Sequence, residues 1–187
     1  MLALPELLVS AQIDGAALVN STAQTSLLPT AARATMPANL ISRVGLRMLI
    51  QAAGRITTTA TPGSLTFDLK LGSVVIGSSG GFALNTAAQT NVNWRLHWEF
   101  TLRAIGGVTT ANFFHQGAWF SHAVVGAAAP TAGGTGVHLI PFNAAPAVGT
   151  GFDSTAAAIL DLFATWQTAS ANNSIQLHQY DVLILNA

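Results

Sequence analysis

The first candidate for chemistry is a run of glycine and serine, Gly77-Ser78-Ser79-Gly80-Gly81, which matches the G-x-S-x-G pattern of α/β-hydrolases. In those enzymes a strand precedes the serine and a helix follows it, because the sharp turn presents the hydroxyl group and the helix N-terminus stabilises an oxyanion. Here residues 82–85 form a short apolar piece rather than an amphipathic helix. We therefore predict a turn between strands, with Ser79 in no catalytic role.

The histidines are the second set of candidates for catalysis or metal binding. No two of them have the i, i+4 spacing of a zinc pair on a helix, or the i, i+2 spacing that places two side chains on one face of a strand. We expect them to be exposed or at an interface, where a cluster would make assembly sensitive to pH. A metal site built from distant strands stays open. The histidines are His97, His115, His122, His138 and His178.

The acidic residues form no close pair of the kind that glycosidases use. Asp153 and Asp161 flank the start of a predicted strand, but their separation along the chain does not determine the distance between their carboxylates. The sequence has no cysteine, which excludes disulfides and thiolate metal sites. It also has no phosphate-binding glycine loop. We predict that the chain is not an enzyme and that it uses no cofactor and no metal.

The charge content is unusually low. Half of the residues are hydrophobic, whereas only 7% are charged, compared with about 25% in a typical soluble domain. The formal net charge of +0 gives no general attraction to nucleic acid or to anionic lipid. A weakly charged surface favours self-association, so we expect a homo-oligomer that has no nucleic-acid partner.

The apolar excess does not predict a membrane span, which needs about 20 consecutive, mostly apolar residues. Glycine, proline and polar residues interrupt the longest charge-free stretch, residues 104–152, along its whole length. The first eight residues include Pro5 and Glu6 and lack the basic start of a secretory signal. We expect a soluble protein with no membrane partner.

A period of two residues dominates the chain and is typical of β-strands that have one buried face. In residues 93–103, large apolar side chains alternate with polar and charged ones, and residues 64–71 repeat the pattern. This alternation favours antiparallel over parallel sheets. The apolar positions of the first strand are Trp94, Leu96, Trp98, Phe100 and Leu102.

Weaker strand patterns occupy residues 16–20, 45–53, 74–76, 111–124, 157–168 and 174–185, and glycine, proline and asparagine turns separate them. A short helical turn is predicted at residues 37–41. About eight strands without a helical period indicate a sandwich or a barrel. We predict an all-β fold, an antiparallel β-sandwich of the jelly-roll type, with a single domain over residues 1–187.

Two regions do not fit a simple sandwich. Residues 126–155 are rich in alanine, glycine, proline and threonine, with a short apolar piece at residues 137–141, and we predict a long loop or insertion. A loop of this length is uncommon unless it is functional or lies on a partner. Residues 1–30 are either an N-terminal arm that docks on a partner or an ordinary first strand and turn.

The predicted strand at residues 111–124 carries large aromatic side chains on both faces, because Phe113 is followed by Phe114 and Trp119 by Phe120. One face can enter the core. The other must be covered by a second sheet, the long loop or a neighbouring subunit, and an apolar patch on a weakly charged protein is typical of a contact. We predict that Phe113, Phe114, Trp119 and Phe120 lie at a subunit or capsid interface.

Four blocks of the sequence, in order, resemble small virion proteins of tailed bacteriophages. The most specific block is residues 46–66, LRMLIQAAGRITTTATPGSLT, which leads into a strand ending in Leu71-Gly72. It is similar to an AAGRIT-T-TPG-L signature of those proteins. The other blocks are Asn20-Ser21-Thr22 with Leu27-Leu28-Pro29, residues 94–105, and residues 164–175.

This resemblance implies an antiparallel jelly roll that forms homotrimers in the virion, as a capsid decoration protein, a head fibre or a tail-associated protein, with no catalytic residues. Our leading hypothesis is a decoration protein that binds the major capsid protein on the outer surface of the head. The alternative is a tail or fibre-tip module that binds a host-surface glycan, and exposed tryptophan or tyrosine platforms would favour it. An esterase or depolymerase is the third hypothesis, and Ser79 is its only support.

Overall fold

The computed structural model describes residues 5–121 and 136–185. These residues form two antiparallel sheets and one 3-10 helix, Thr30–Ala32. The strands are β1 (Glu6–Ser10), β2 (Leu18–Val19), β3 (Thr25–Ser26), β4 (Ala34–Met36), β5 (Arg47–Thr58), β6 (Ser64–Leu71), β7 (Val74–Ser78), β8 (Phe82–Ala83), β9 (Gln89–Ala104), β10 (Asn112–Phe120), β11 (Val137–Ile140), β12 (Ala158–Trp166) and β13 (Ser174–Ile184).

The strands pair as a nested set, β1 with β13, β4 with β12, β5 with β9, and β6 with β7. Sheet A has the order β1-β13-β5-β9-β10-β11, with β2 also on β13. Sheet B has the order β3-β12-β6-β7, with β4 also on β12 and β8 on β6. Nested pairs wound into two facing sheets are the jelly-roll arrangement, which confirms the predicted fold class. Strands β10 and β11 lie outside the nested pairs and widen sheet A.

The longest strands form where the period of two is strongest. Strand β6 has the predicted bounds, and β9 extends the predicted strand at both ends. The inward positions of β9, from Trp94 to Leu102, are all buried between the sheets. The chain does turn within residues 37–41, where the Leu40 N–H donates to the Pro37 carbonyl, but the turn is not helical, because Asn39 has a φ of 62°. The short helix lies earlier, at Thr30–Ala32.

Aromatic side chains join the two sheets at the centre of the sandwich. Phe67 of sheet B lies 5.6 Å from Trp94 and 5.7 Å from Trp119, both of sheet A, between ring centroids. Phe82 stacks on Trp119 at 5.1 Å. Each large ring buries roughly 150–250 Å² of surface, so these contacts stabilise the packing of sheet on sheet.

The two irregular regions pack on the same chain where the structure describes them. Strands β1 and β2 pair with β13, and β3 pairs with β12, so these short strands within residues 5–30 are hydrogen-bonded to the same chain. Residues 126–135 of the predicted loop lie outside the described residues. The rest of that region contains β11, and two isolated bridges, Phe114 with Val148 and Ala111 with Phe152, bind it to the start of β10.

Candidate binding surface

Strand β10 sends its four aromatic side chains to opposite faces. Phe113 and Trp119 have no exposed surface, whereas Phe114 is half-buried and Phe120 is 44% exposed on the outer face of sheet A. Phe113 stacks on Phe152 at 5.2 Å, and Trp119 packs in the central aromatic cluster. The predicted interface role of Phe113 and Trp119 is therefore corrected, because a fully buried side chain reaches no partner without unpacking the core. For Phe114 and Phe120 it stays a prediction.

Phe114 lies on the outer face of sheet A with a set of apolar side chains that we call the edge patch, made of Phe114, Ala118, Leu139 and Val148, with the exposed Gln116 between Phe114 and Ala118 on the same face. Leu139 lies directly opposite Ala118 in the β10–β11 pairing, and Val148 lies opposite Phe114. Leu139 is 71% exposed and Val148 is 54% exposed. The Arg103 guanidinium lies 5.0 Å from the centre of the Phe114 ring. Exposed apolar side chains gathered on one face mark a contact surface more strongly than the same residues scattered singly.

Phe120 has different surroundings, at the wall of a depression that we call the polar pocket. The pocket has a volume of about 280 Å³ and lies on the outer face of sheet A, across β13, β5 and β9. Its floor includes the small side chain of Ala53, which stands between Gln179 and Arg95 in the strand pairing. The side chains around it are Gln51, Arg95, His97, Phe120, Gln179 and Asp181.

A charged cluster borders the polar pocket. Arg47 forms an ion pair with Glu99, and His97 Nε2 lies 3.3 Å from the other Glu99 oxygen. Burial acts to raise the pKa of Glu99, but the hydrogen bonds from Arg47 and His97 outweigh it and hold that pKa below its ordinary value. His97 also lines a neighbouring groove of about 310 Å³ that continues toward Leu139 and Pro146. The pocket and the groove thus lie side by side on one face.

Two histidines contradict the expectation that all of them are exposed or at an interface, since His115 and His138 are buried. Both sit among aromatic rings, and burial lowers the pKa of each. Alternation along β10 and β11 places both side chains on the inner face of sheet A. The sequence argument compared only the spacing between histidines and did not ask which face of its strand each histidine occupies. His97 and His178 are partly exposed, and His122 lies outside the described residues.

Ser79 is fully buried in the turn between β7 and β8, and a strand rather than a helix follows it. The Phe67 N–H donates to its Oγ at 2.8 Å, and its hydroxyl donates to the Gly80 carbonyl at 2.7 Å. The serine hydroxyl therefore ties the turn to β6. This matches the predicted turn between strands.

Asp153 and Asp161, the two acidic residues considered in the sequence, also have structural partners. Asp161 accepts a hydrogen bond from the Ser26 hydroxyl at 2.6 Å and lies 3.5 Å from Arg33, while Asp153 accepts from the backbone and hydroxyl of Thr155. Within residues 5–121 and 136–185, no group of three or more histidine, aspartate or glutamate side chains is placed to hold a metal ion. Over the same residues, no helix has the length and hydropathy to span a membrane.

Comparison with known proteins gives only distant structural likenesses. No protein-family model and no curated protein matches the chain. Among solved structures, the chain is similar to the CBM2 module of the evolved Dit of Lactobacillus casei BL23 phage J-1. The TM-score is 0.32 and the identity is 11%, over 82% of this chain and 68% of that chain. A likeness at this level carries no argument about function.

Proposed function

We propose that this chain is a structural protein of a tailed-phage particle, which forms a homotrimer and binds the major capsid protein on the outer surface of the head. The edge patch is the observation that carries this proposal. It lies on β10, β11 and the segment after them, the part of the chain added to the nested jelly-roll pairs. The four sequence blocks that resemble tailed-phage virion proteins supply the biological setting.

The physical role of such a protein is to add contacts rather than to catalyse a reaction. Apolar surface removed from water contributes roughly 25 cal/mol per Å², before the cost of ordering the partners is subtracted. With only 7% charged residues, the chain has little charge repulsion to oppose association. Many identical copies on a shell let modest contacts sum to a large stabilisation.

The subunit contact is tested by placing a charge in the edge patch. We expect Leu139→Glu to convert a trimer into monomers of 19.3 kDa, because the carboxylate would lose its hydration inside the contact. Ile159→Glu is the matched control, since Ile159 is 48% exposed on the outer face of sheet B. Size-exclusion chromatography with light scattering reads the mass. A monomeric wild-type protein, or an unchanged trimer with Leu139→Glu, contradicts the proposed contact.

The head location needs electron cryo-microscopy of the intact particle. Trimeric β-sandwich density on the head lattice is the expected result. Density restricted to the tail would instead favour the alternative function, a tail or fibre-tip module that binds a host glycan. The polar pocket is the feature that favours this alternative. All four tryptophans and the single tyrosine are buried, so none of them forms an exposed stacking platform for a sugar.

A further inference from the structure

The register of sheet A assembles the polar pocket from distant parts of the chain. Gln179, Ala53 and Arg95 are direct neighbours across β13, β5 and β9, and Asp181, Gln51 and His97 form the next row. Adjacent strands lie about 4.8 Å apart and same-face residues about 7 Å apart along a strand, so the two rows frame an area of about 10 Å by 7 Å. Because alanine is the shortest of these side chains, the centre of one row is recessed.

The polar groups around this recess are available to a ligand. The side chains of Gln51, Arg95, Gln179 and Asp181 make no hydrogen bond or ion pair with any residue among 5–121 and 136–185. Two primary amides supply donors and acceptors, the guanidinium supplies donors only, and the carboxylate supplies acceptors only. A polyhydroxylated ligand can use all three, because each of its hydroxyl groups both donates and accepts hydrogen bonds.

The charges of the pocket select against ionic ligands. Arg95 and Asp181 carry opposite charges, and the neighbouring Glu99 is paired with Arg47 and His97. An anion would gain from Arg95 but would be repelled by Asp181, and a cation would meet the reverse. A neutral ligand can hydrogen-bond to both groups.

Phe120 completes the site with an apolar wall. Its ring is 44% exposed and lies beside Arg95 in the β10–β9 pairing. A sugar ring has hydroxyl groups at its rim and an apolar C–H face, and the face can be removed from water against a phenyl ring. We propose that the polar pocket binds a neutral sugar, with Phe120 under the ring face and with Gln51, Arg95, Gln179 and Asp181 on its hydroxyl groups.

The size of the pocket sets the length of the ligand. A volume of about 280 Å³ lies at the small end of ligand pockets and suits one or two sugar rings. The groove that shares His97 gives a longer saccharide a path across β10 toward Leu139. This inference deepens the alternative function above, the glycan-binding module, and does not depend on the edge patch.

The test is isothermal titration calorimetry with a fixed set of neutral sugars: glucose, galactose, mannose, rhamnose, N-acetylglucosamine and their disaccharides. Glucuronate and glucosamine serve as charged comparators. We expect at least one neutral sugar to bind the wild-type protein more tightly than either comparator. Gln179→Ala and Asp181→Asn should each weaken that binding by about three- to tenfold, the effect of one lost hydrogen bond.

The matched control is Asn93→Ala, because Asn93 is exposed on the same face of β9 but does not line the pocket. It should leave the affinity unchanged. Binding to none of the sugars overturns the inference, as does binding that Gln179→Ala and Asp181→Asn leave intact, and tighter binding of a comparator overturns the choice of a neutral ligand. Light scattering on the same variants should show an unchanged mass, which separates a failed sugar site from a failed subunit contact.

Discussion

His115 and His138 are held as neutral imidazoles inside the sandwich. The Trp98 indole N–H donates to His115 Nδ1 at 3.3 Å, which requires that nitrogen to be unprotonated. His138 stacks on Phe82, and its Nε2 lies 3.1 Å from the Ala83 carbonyl. Burial lowers the pKa of His115, and it also lowers the pKa of His138 although the bond to Ala83 opposes the change. Burial therefore disfavours the protonated, charged form of both side chains.

These two histidines predict a loss of stability in mild acid. In the unfolded chain each titrates near pH 6.5, and in the folded chain each titrates lower, so the unfolded state binds more protons as the pH falls below 6.5. We expect the free energy of unfolding to fall between pH 7 and pH 5, by up to about 1.4 kcal/mol per pH unit for each histidine. Urea unfolding at several pH values measures it.

The control for this prediction is the comparison of two substitutions. His115→Gln should reduce the slope of stability against pH, whereas Gln116→Ala, which changes an exposed side chain without a titratable group on the outer face of the same strand, should leave the slope unchanged. Equal slopes for the wild-type protein and His115→Gln would contradict the assignment.

Asp161 has the opposite effect on stability at lower pH. Burial raises its pKa despite the hydrogen bond from Ser26 and the charge of Arg33, so the folded state binds this proton more readily than the unfolded state does.

At the scale of the element, substitutions on the two faces of β10 should affect stability to different extents. Trp119→Ala should lower the free energy of unfolding by about 3–5 kcal/mol, because it leaves a cavity in the aromatic core. Phe120→Ala should lower it by about 1 kcal/mol or less, since the ring is largely at the surface. Urea unfolding of the two variants checks the prediction. Similar losses for both would mean that Phe120 is part of the core.

The strands differ in how far local pattern could predict them. Strands β6 and β9 are long and alternate strictly, so the bounds of β6 and the buried faces of both strands followed from period alone, although β9 extends beyond its predicted bounds at both ends. Strands β3, β4 and β8 have two or three residues each, too few for a period to show, and they form because longer strands offer them hydrogen-bond partners. Gly54 is explained only by tertiary packing, since a Cβ there would overlap the carbonyl oxygen of Gln176.

For the whole molecule, the proposed homotrimer predicts that folding and association are coupled. If the chain is a trimer, dilution shifts the equilibrium toward unfolded monomers, so the Tm should rise with protein concentration. Calorimetry over a hundredfold range of concentration measures this shift. Leu139→Glu should have a Tm that does not depend on concentration, while Ile159→Glu should behave as the wild-type protein does. A Tm independent of concentration in all three proteins would contradict association through the edge patch.

The sequence by itself determined the fold class, the antiparallel sheets and the inward faces of the long strands. Those properties depend on side-chain alternation, which is a local feature of each strand and can be recognised without knowing the partner strand. It also showed that β10 carries aromatic side chains on both faces, but not which of Phe113, Phe114, Trp119 and Phe120 is buried. That sorting depends on which face of β10 meets sheet B, which only the tertiary structure decided.

The polar pocket was beyond the sequence for the same reason. Gln51, Arg95 and Gln179 come from three strands, and no spacing along the chain relates them. They become neighbours because the nested pairing brings β13 and β9 to either side of β5, and because a bulge between Leu177 and Gln179 sets the register there. Local alternation specifies the face on which a side chain lies, whereas only long-range pairing specifies its neighbours on that face.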